Sequence, residues 1–189
     1  MEILIVLEDN HGSLHRMSKE AIAGAQKMGG SVSALAIGSN AESLAAELSG
    51  TDLTEVITVN HDLVSSYNAD GYAEVVKQVV ETEGPKTIVA GHSYQTRDFM
   101  PRVSAKLDIP FIPDIISMDD GFVKQVLNAK LNASVTTGSG QMILSFQSAA
   151  FSEDDIVSGE CAPRSFDVDL DSSIVSSQSE EPFQEAAGD

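Results

Sequence analysis

The 189-residue chain has a single cysteine, no tryptophan and few basic residues. One cysteine, Cys161, rules out an intrachain disulfide framework and any metal site built from several cysteines. The chain has 11 Lys and Arg residues and 29 Asp and Glu residues, which gives a formal net charge of −18. Nucleic acids and anionic membranes bind cationic surfaces, so neither is expected as a partner. No apolar run approaches the roughly 20 residues of a membrane span, so no membrane insertion is expected.

Motifs for several common chemistries are also missing. No Gly-x-Gly-x-x-Gly fingerprint follows the first predicted strand, where Glu8 and Asp9 would repel a pyrophosphate. The Gly-Ser-Gly at 138–140 falls between two predicted strands, which favours a hairpin turn over a phosphate-binding loop. A Gly-x-Ser-x-Gly nucleophile elbow is absent. His11 and His15 are four residues apart but are separated by loop-forming residues, so no metal site is predicted.

Two kinds of apolar pattern, one typical of strands and one typical of helices, alternate along the first half of the chain. Short β-branched runs, typical of buried parallel strands, are followed by segments whose apolar residues recur at helical spacing. This alternation predicts a parallel sheet with right-handed crossovers and helices on both faces, a three-layer α/β domain of the Rossmann-like type. The predicted strands are 3–7, 32–37, 55–59 and 87–90, and the predicted helices are 18–28, 41–48 and 70–82.

After Asp114 the spacing of the apolar residues changes from the helical period to the shorter period of strands. Strands are predicted at 115–118, 122–127, 132–136 and 142–146, with turns at 119–121 and 138–140, which indicates an antiparallel or mixed extension of the sheet. From about Ser152 the composition becomes acidic and Ser-rich, which is typical of a tail or linker. We therefore expect one domain over residues 1–155 and a tail or linker over 156–189, with Cys161 beyond the packed core.

A strand end, a turn and an amphipathic helix follow one another around Gly91. Gly91 ends the strand, and Thr96 is the predicted N-cap of the helix. Three apolar residues at a spacing of four, Phe99, Val103 and Leu107, would line one helical face. With this cap, Pro101 falls about one turn into the helix, where few backbone donors have intrahelical partners. The helix should stop before Ile109-Pro110.

This segment resembles the amino-terminal domain of the electron transfer flavoprotein alpha subunit. In that family a strand ending in Gly leads through a Ser-containing loop to a helix with a pattern like Pro-Arg-Val/Leu-x-Ala-Lys/Arg-Leu, followed shortly by an Asp. The matching residues are Gly91, Ser93, Pro101, Arg102, Val103, Ala105, Lys106, Leu107 and Asp114. The resemblance spans roughly residues 1–155. The chain departs from the family pattern at Thr96, Leu127, Asn128, Ala129, Lys130, Leu131 and Gln147, which puts contacts to neighbouring domains in question.

The resemblance implies a Rossmann-like, adenine nucleotide hydrolase-like fold and a domain without a catalytic site of its own. It implies that a second domain beyond the linker binds FAD, and that AMP, where present, belongs to a beta subunit. The complete heterodimer would carry electrons from acyl-CoA dehydrogenases of fatty acid oxidation, and from related dehydrogenases, to a quinone oxidoreductase or another acceptor. The expected location is the bacterial cytoplasm, or the mitochondrial matrix if a transit peptide was removed.

Two other functions remain open at this stage. The carboxyl ends of parallel strands form the default ligand crevice, so Gly91, His92 and Ser93 could serve a stand-alone adenine-nucleotide-binding domain. Alternatively, His92 and Ser93 could serve a small hydrolase, which would require a carboxylate within hydrogen-bond reach of His92.

The candidate interface residues are four charged side chains. Arg97, Asp98 and Arg102 form a compact set on the predicted helix, and they serve either as a surface ion pair at i,i+4 spacing or as an interface anchor. Because of the resemblance, we expect this helix and the region of Asp114 to face a beta subunit or an FAD domain.

Overall fold

The computed structural model describes residues 1–119, 121–138 and 140–175. Asp120 and Ser139, at the centres of the two predicted turns, lie outside the described residues, as do residues 176–189 at the end of the predicted tail.

The chain forms eleven described strands and four α-helices. The strands are β1 Ile3–Val6, β2 Asp9–Asn10, β3 Ser13–Leu14, β4 Val32–Ile37, β5 Val56–Val59, β6 Thr87–Gly91, β7 Phe111–Ser117, β8 Phe122–Val126, β9 Leu131–Val135, β10 Met142–Phe146 and β11 Pro163–Ser165. The helices are α1 Arg16–Met28, α2 Ala41–Glu47, α3 Ala69–Glu83 and α4 Tyr94–Leu107. Single 3₁₀ turns occupy Asp62–Val64, Glu153–Asp155 and Ser172–Ile174.

Nine strands form one sheet in the order β11-β5-β4-β1-β6-β10-β7-β8-β9, and β2 and β3 form a separate small hairpin. The pairs from β11 to β7 are parallel, whereas β7–β8 and β8–β9 are antiparallel. The three-layer α/β prediction with a mixed extension is confirmed. The sequence assigned residues 142–146 to the antiparallel or mixed extension. In the structure this strand, β10, lies between β6 and β7 inside the parallel part of the sheet.

Each face of the sheet carries its own hydrophobic core. Ile3 and Ile5 of β1 point to the side covered by α1 and α2, whereas Leu4 and Val6 point to the side covered by α3 and α4. This alternation follows from the two-residue period of a strand. All four residues are fully or almost fully buried, as expected for a strand in the middle of a parallel sheet.

The start of α4 corrects one prediction. The N-cap is Ser93, whose Oγ accepts a hydrogen bond from the backbone N–H of Thr96 at 3.0 Å. The predicted cap, Thr96, is instead buried inside the first helical turn. Pro101 therefore lies more than one turn into the helix, where it deprives the Arg97 carbonyl of its usual i+4 donor. The predicted apolar face is confirmed, since Phe99 and Val103 are buried.

The described residues after Asp155 run along the domain surface. Strand β11 pairs with β5, and the Arg164 guanidinium donates to Glu55 at 2.6 and 2.9 Å and to Glu83 at 2.8 Å. Cys161 is half-buried against the core, with its Sγ 2.9 Å from the Leu48 carbonyl oxygen, so the prediction that it lies beyond the core was wrong. Burial raises the pKa of this thiol.

Candidate functional site

A groove of about 330 Å³ opens at the carboxyl ends of β1, β6 and β10. Strand order reverses here, because β1 is flanked by β4 on one side and by β6 on the other. Ligands of open α/β sheets bind at such switch points. The crevice predicted from the sequence lies at the same strand ends. The lining of the groove includes Glu8, His92, Ser93, Tyr94, Arg97 and Asp114.

His92 is fixed at the groove wall by a buried hydroxyl. Its Nδ1 lies 2.8 Å from the Oγ of Ser145, a residue of β10 with no exposed surface. The same Oγ accepts a hydrogen bond from the Asp114 backbone N–H at 3.3 Å. The His92 backbone N–H donates to the Phe146 carbonyl at 2.7 Å. One imidazole is thus connected to both β10 and β7.

These contacts assign the tautomer of His92. The Ser145 hydroxyl hydrogen needs an acceptor because the group is fully buried, and Nδ1 is the acceptor within reach among the described residues. The ring hydrogen is therefore on Nε2, on the side of Asp114, whose Oδ1 is 4.0 Å away. Burial lowers the pKa of His92, and Arg97 and Lys124 lower it further, while Asp114 opposes the shift. The imidazole is neutral at pH 7.

The hydrolase arrangement is not assembled among the described residues. Asp114 is beyond the roughly 2.6–3.2 Å of a hydrogen bond to His92. The Ser93 hydroxyl caps α4 and donates to Thr96 Oγ1 at 3.3 Å, while the imidazole bonds to Ser145 instead. Neither the base–carboxylate pair nor the serine–base pair has catalytic geometry.

Gly91 has a packing role beneath α1. A Cβ placed on it would lie 2.6 Å from Met17 Cβ and 2.8 Å from the Met17 carbonyl oxygen. Only glycine lets the end of β6 approach the first turn of α1 this closely. The groove itself carries the carboxylates of Glu8 and Asp114, which would repel a nucleotide phosphate. The geometry therefore does not favour Gly91, His92 and Ser93 as a phosphate site.

Arg97 projects over the groove from the first turn of α4. Its guanidinium carbon lies 5.2 Å from the centroid of the Tyr94 ring, a cation–π geometry. Tyr94 is 87% exposed, so the pair forms a raised rim. Asp114 lies across the same groove with a backbone φ of 65°, a conformation that is uncommon outside glycine. Two of the four candidate interface residues thus share this groove.

The other two candidate interface residues face α3. Arg102 Nη1 lies 2.8 Å from Asp70 Oδ1, and Arg102 Nη2 lies 3.5 Å from Asp98 Oδ1. The Tyr67 hydroxyl donates to Asp98 Oδ2 at 2.7 Å. Burial and this carboxylate raise the pKa of Tyr67. The predicted i,i+4 ion pair is present, within a polar network that also joins α4 to α3.

The remaining histidines have local roles. His15 is the N-cap of α1 and accepts the Met17 N–H through Nδ1 at 3.2 Å, while His11 lies in the turn of the small hairpin. His61 caps the 3₁₀ turn that follows β5. Within the described ranges, no group of three or more His, Cys, Asp or Glu residues is placed to hold a metal ion.

Sequence reasoning missed two buried polar residues. Ser145 interrupts the apolar run of β10, and a hydroxyl inside a buried strand is a signal that could have been read. Glu20 is buried in α1, accepts the Ala149 N–H at 2.9 Å and pairs with Arg16 at 3.0 Å. The burial of Glu20 has no such signal, because Arg16 at i−4 is an ordinary helix-surface pair and the Ala149 N–H comes from the distant β10 exit. None of the helices in the described part of the chain has the length and apolar character needed to cross a membrane.

Comparison with known proteins adds a family match. The model of the electron transfer flavoprotein domain matches residues 3–169. Electron transfer flavoprotein subunit alpha of Bacillus subtilis is 31% identical over 119 residues, which cover 62% of this chain and 37% of the relative. The probable mitochondrial electron transfer flavoprotein subunit alpha of Schizosaccharomyces pombe is 28% identical over 153 residues, which cover 79% and 45%.

A third relative has a more specific name. The acryloyl-CoA reductase electron transfer subunit beta of Anaerotignum propionicum is 30% identical over 129 residues, covering 66% of this chain and 35% of the relative. In all three comparisons the chain spans less than half of the relative's length.

Proposed function

The chain belongs to the electron transfer flavoprotein domain family, and on this premise we propose that it is the amino-terminal structural and interaction domain of an alpha subunit. Its task is to form, with a beta subunit, the base for a mobile FAD-binding domain that follows residues 156–189. The FAD of the complete protein is held by that second domain, and AMP, where present, is held by the beta subunit. The domain contributes assembly and has no catalytic site of its own.

The proposed complex moves electrons between other proteins. It accepts them from dehydrogenases, among them those of fatty acid oxidation, and delivers them to a quinone oxidoreductase or another acceptor. The setting is the bacterial cytoplasm or the mitochondrial matrix. Arg97, Asp98, Arg102 and Asp114 are proposed to face the beta subunit or the FAD domain. We include the departures from the family pattern in this proposal: Gln147 lines the groove together with Arg97 and Asp114, and residues 127–130 form the turn between β8 and β9.

The observation that carries the interaction role is the β8–β9 hairpin. Strand β9 is the last strand of the described sheet order, and edge strands present backbone groups for pairing with another chain. Leu127 and Leu131 at the hairpin end are 68% and 57% exposed. No Asp or Glu occurs from 121 to 152, although the chain has 29 of them. This apolar, acid-free edge is suited to a protein partner.

The adenine-nucleotide alternative has less support. A stand-alone nucleotide domain would need an anion-binding surface at the groove, whereas Glu8 and Asp114 line it. The hydrolase alternative lacks its serine–histidine–carboxylate geometry among the described residues.

Co-purification with the beta subunit encoded beside the native gene tests the proposal. The native product should elute as a heterodimer with the yellow absorbance of a flavin. In the 189-residue chain, the double change Leu127→Asp and Leu131→Asp should abolish binding of the beta subunit. Val157→Asp is the matched control, because Val157 is also an exposed apolar residue but lies beside Gln26 and Asp52, far from the β8–β9 hairpin in the strand order. A colourless native monomer that does not bind the beta subunit would refute the proposal.

A further inference from the structure

Residues 156–170 cross one edge of the sheet, from one face of the domain to the other, and we call this segment the strap. Ile156 and Cys161 pack against the core on the side of α1 and α2. Phe166 and Val168 pack against the core on the side of α3 and α4. Between these contacts the chain forms β11, which pairs in parallel with β5. The strap therefore covers the side of β5 that does not face β4.

Backbone hydrogen bonds hold the strap to the domain on both sides of β11. Before β11, the Gly159 N–H donates to the Gly50 carbonyl at 3.0 Å. After β11, the Phe166 N–H donates to the carbonyl of Thr58, in β5, at 2.9 Å. The strap is thus attached to the domain by its main chain as well as by its side chains.

Gln78 of α3 holds the end of the strap. Its Oε1 accepts the Asp169 N–H at 2.9 Å, and its Nε2 donates to the Asp169 carbonyl at 2.7 Å. One side-chain amide thus satisfies both backbone groups of a residue that lies outside the described strands. The hydrogen bonds from Arg164 to Glu55 and Glu83 provide a second polar anchor.

Strand β5 is poorly suited to be the outer strand of a sheet. Its four residues, Val56–Val59, are at most 1% exposed, and three of them are apolar. An uncovered strand of this kind presents unpaired backbone groups to another chain. Strand β11 is a less favourable template, because it has only three residues, begins with Pro163, which has no N–H, and carries the charged Arg164. The strap therefore replaces an adhesive edge by a protected one.

We propose that the strap seals the β5 edge and so prevents a second copy of this chain from pairing with β5. The inference goes beyond the proposed function and does not depend on a beta subunit. The strap is a folded part of the domain, fixed from Ile156 to Leu170 by both cores, β11 and Gln78. One consequence concerns the proposed function, since the linker to a following domain then begins after Leu170 and not at residue 156.

The variant Gly159→Ala tests the strap in the full 189-residue chain. An added Cβ would lie 2.6 Å from Asp52 Cα, a backbone atom, so the strap must move away. The Phe166 amide should exchange its hydrogen slowly in the wild type and at least about fivefold faster in this variant. Gly138→Ala is the control, because its Cβ would meet nothing within 4 Å, and it should leave exchange at Phe166 unchanged.

An unprotected Phe166 amide in the wild type would refute the strap as a folded element. Faster exchange confined to residue 159 would show that the segment does not open as a unit and would also refute it.

Light scattering tests the sealing role with the same two variants. Salt of about 0.5 M screens the net negative charge that would otherwise keep copies apart. Gly159→Ala should then associate at a protein concentration at least about fivefold lower than Gly138→Ala, because β5 is uncovered more often. An excess of a synthetic peptide of residues 156–171 should reverse this association by occupying β5. If exchange at Phe166 accelerates but association matches Gly138→Ala, or if the peptide has no effect, the sealing role is refuted.

Discussion

The hydroxyl of Ser145 lies 2.8 Å from Nδ1 of His92 and connects the end of β6 to a strand that is 53 residues further along the chain. This contact fixes a half-buried imidazole at the wall of the groove, and burial lowers the pKa of the ring, which favours its neutral form. The protein therefore carries a titratable group whose charge is suppressed by its surroundings.

The first prediction concerns stability at acid pH. Burial lowers the pKa of His92 in the folded state, so the unfolded chain, with a pKa near 6.5, takes up a proton first. The contribution of His92 to stability is therefore present above about pH 6.5 and is lost as the pH falls through the folded-state pKa. His92→Asn keeps an acceptor for Ser145 and removes the titration. When the pH is lowered from 7.5 to 5, the free energy of unfolding of His92→Asn should therefore fall by roughly 0.5–1 kcal/mol less than that of the wild type. Urea unfolding at the two pH values measures this difference.

His11→Asn serves as the control for this measurement, because His11 is exposed in a hairpin turn whose φ of 53° asparagine tolerates. An unchanged pH dependence in His92→Asn would contradict the prediction.

The second prediction concerns Ser93, which distinguishes a helix cap from a nucleophile. Ser93→Ala should lower the free energy of unfolding by about 1 kcal/mol, because the N–H of Thr96 loses its acceptor. Ser93→Asp preserves the cap and should restore most of that stability. A hydrolase would lose its activity in both variants, so an esterase activity in the wild type that disappears in Ser93→Asp would overturn the capping assignment.

The third prediction concerns the close approach at Gly91. Gly91→Ala brings a Cβ to 2.6 Å from Met17 Cβ, so α1 must shift, and we expect a loss of roughly 1–3 kcal/mol. At Gly50, an added Cβ meets nothing within 4 Å, so Gly50→Ala should change stability by less than about 0.5 kcal/mol. Equal effects of the two changes in chemical denaturation would rule out the proposed steric contact.

The fourth prediction concerns the forked pair of Arg164 and Glu55. Hydrogen bonds from Arg164 lower the pKa of Glu55, so this stabilisation is present above about pH 4.5 and is lost as the pH falls through the folded-state pKa. Arg164→Gln should cost roughly 1 kcal/mol at pH 7, a value discounted for partial exposure, and much less at pH 3.5.

Lys27→Gln is the matched control for the Arg164 experiment. It breaks a pair with Asp155 in which both side chains are 49% exposed, and it should cost no more than about 0.5 kcal/mol at pH 7. An Arg164→Gln penalty that is the same at both pH values would show that the lost stability comes from packing and not from ionisation of Glu55.

Local pattern predicted most of the architecture. The limits of β4 at 32–37 and of β10 at 142–146 were predicted to the residue, because each is a short apolar run with an abrupt end. The first half of α4 was predicted less well. Both Ser93 and Thr96 are capping residue types, and the choice between them depends on where the end of β6 places the backbone, which a local pattern does not contain.

The sequence by itself determined the fold class and the acidic surface, because strand and helix periods and net charge are properties of neighbouring residues and of their sum. Only the tertiary structure decided that β10 enters the sheet beside β6, that its Ser145 meets His92, and that Arg164 joins Glu55 and Glu83. These relationships join residues that are 53 to 109 positions apart, and such pairings are fixed by packing of the whole sheet and not by any local preference.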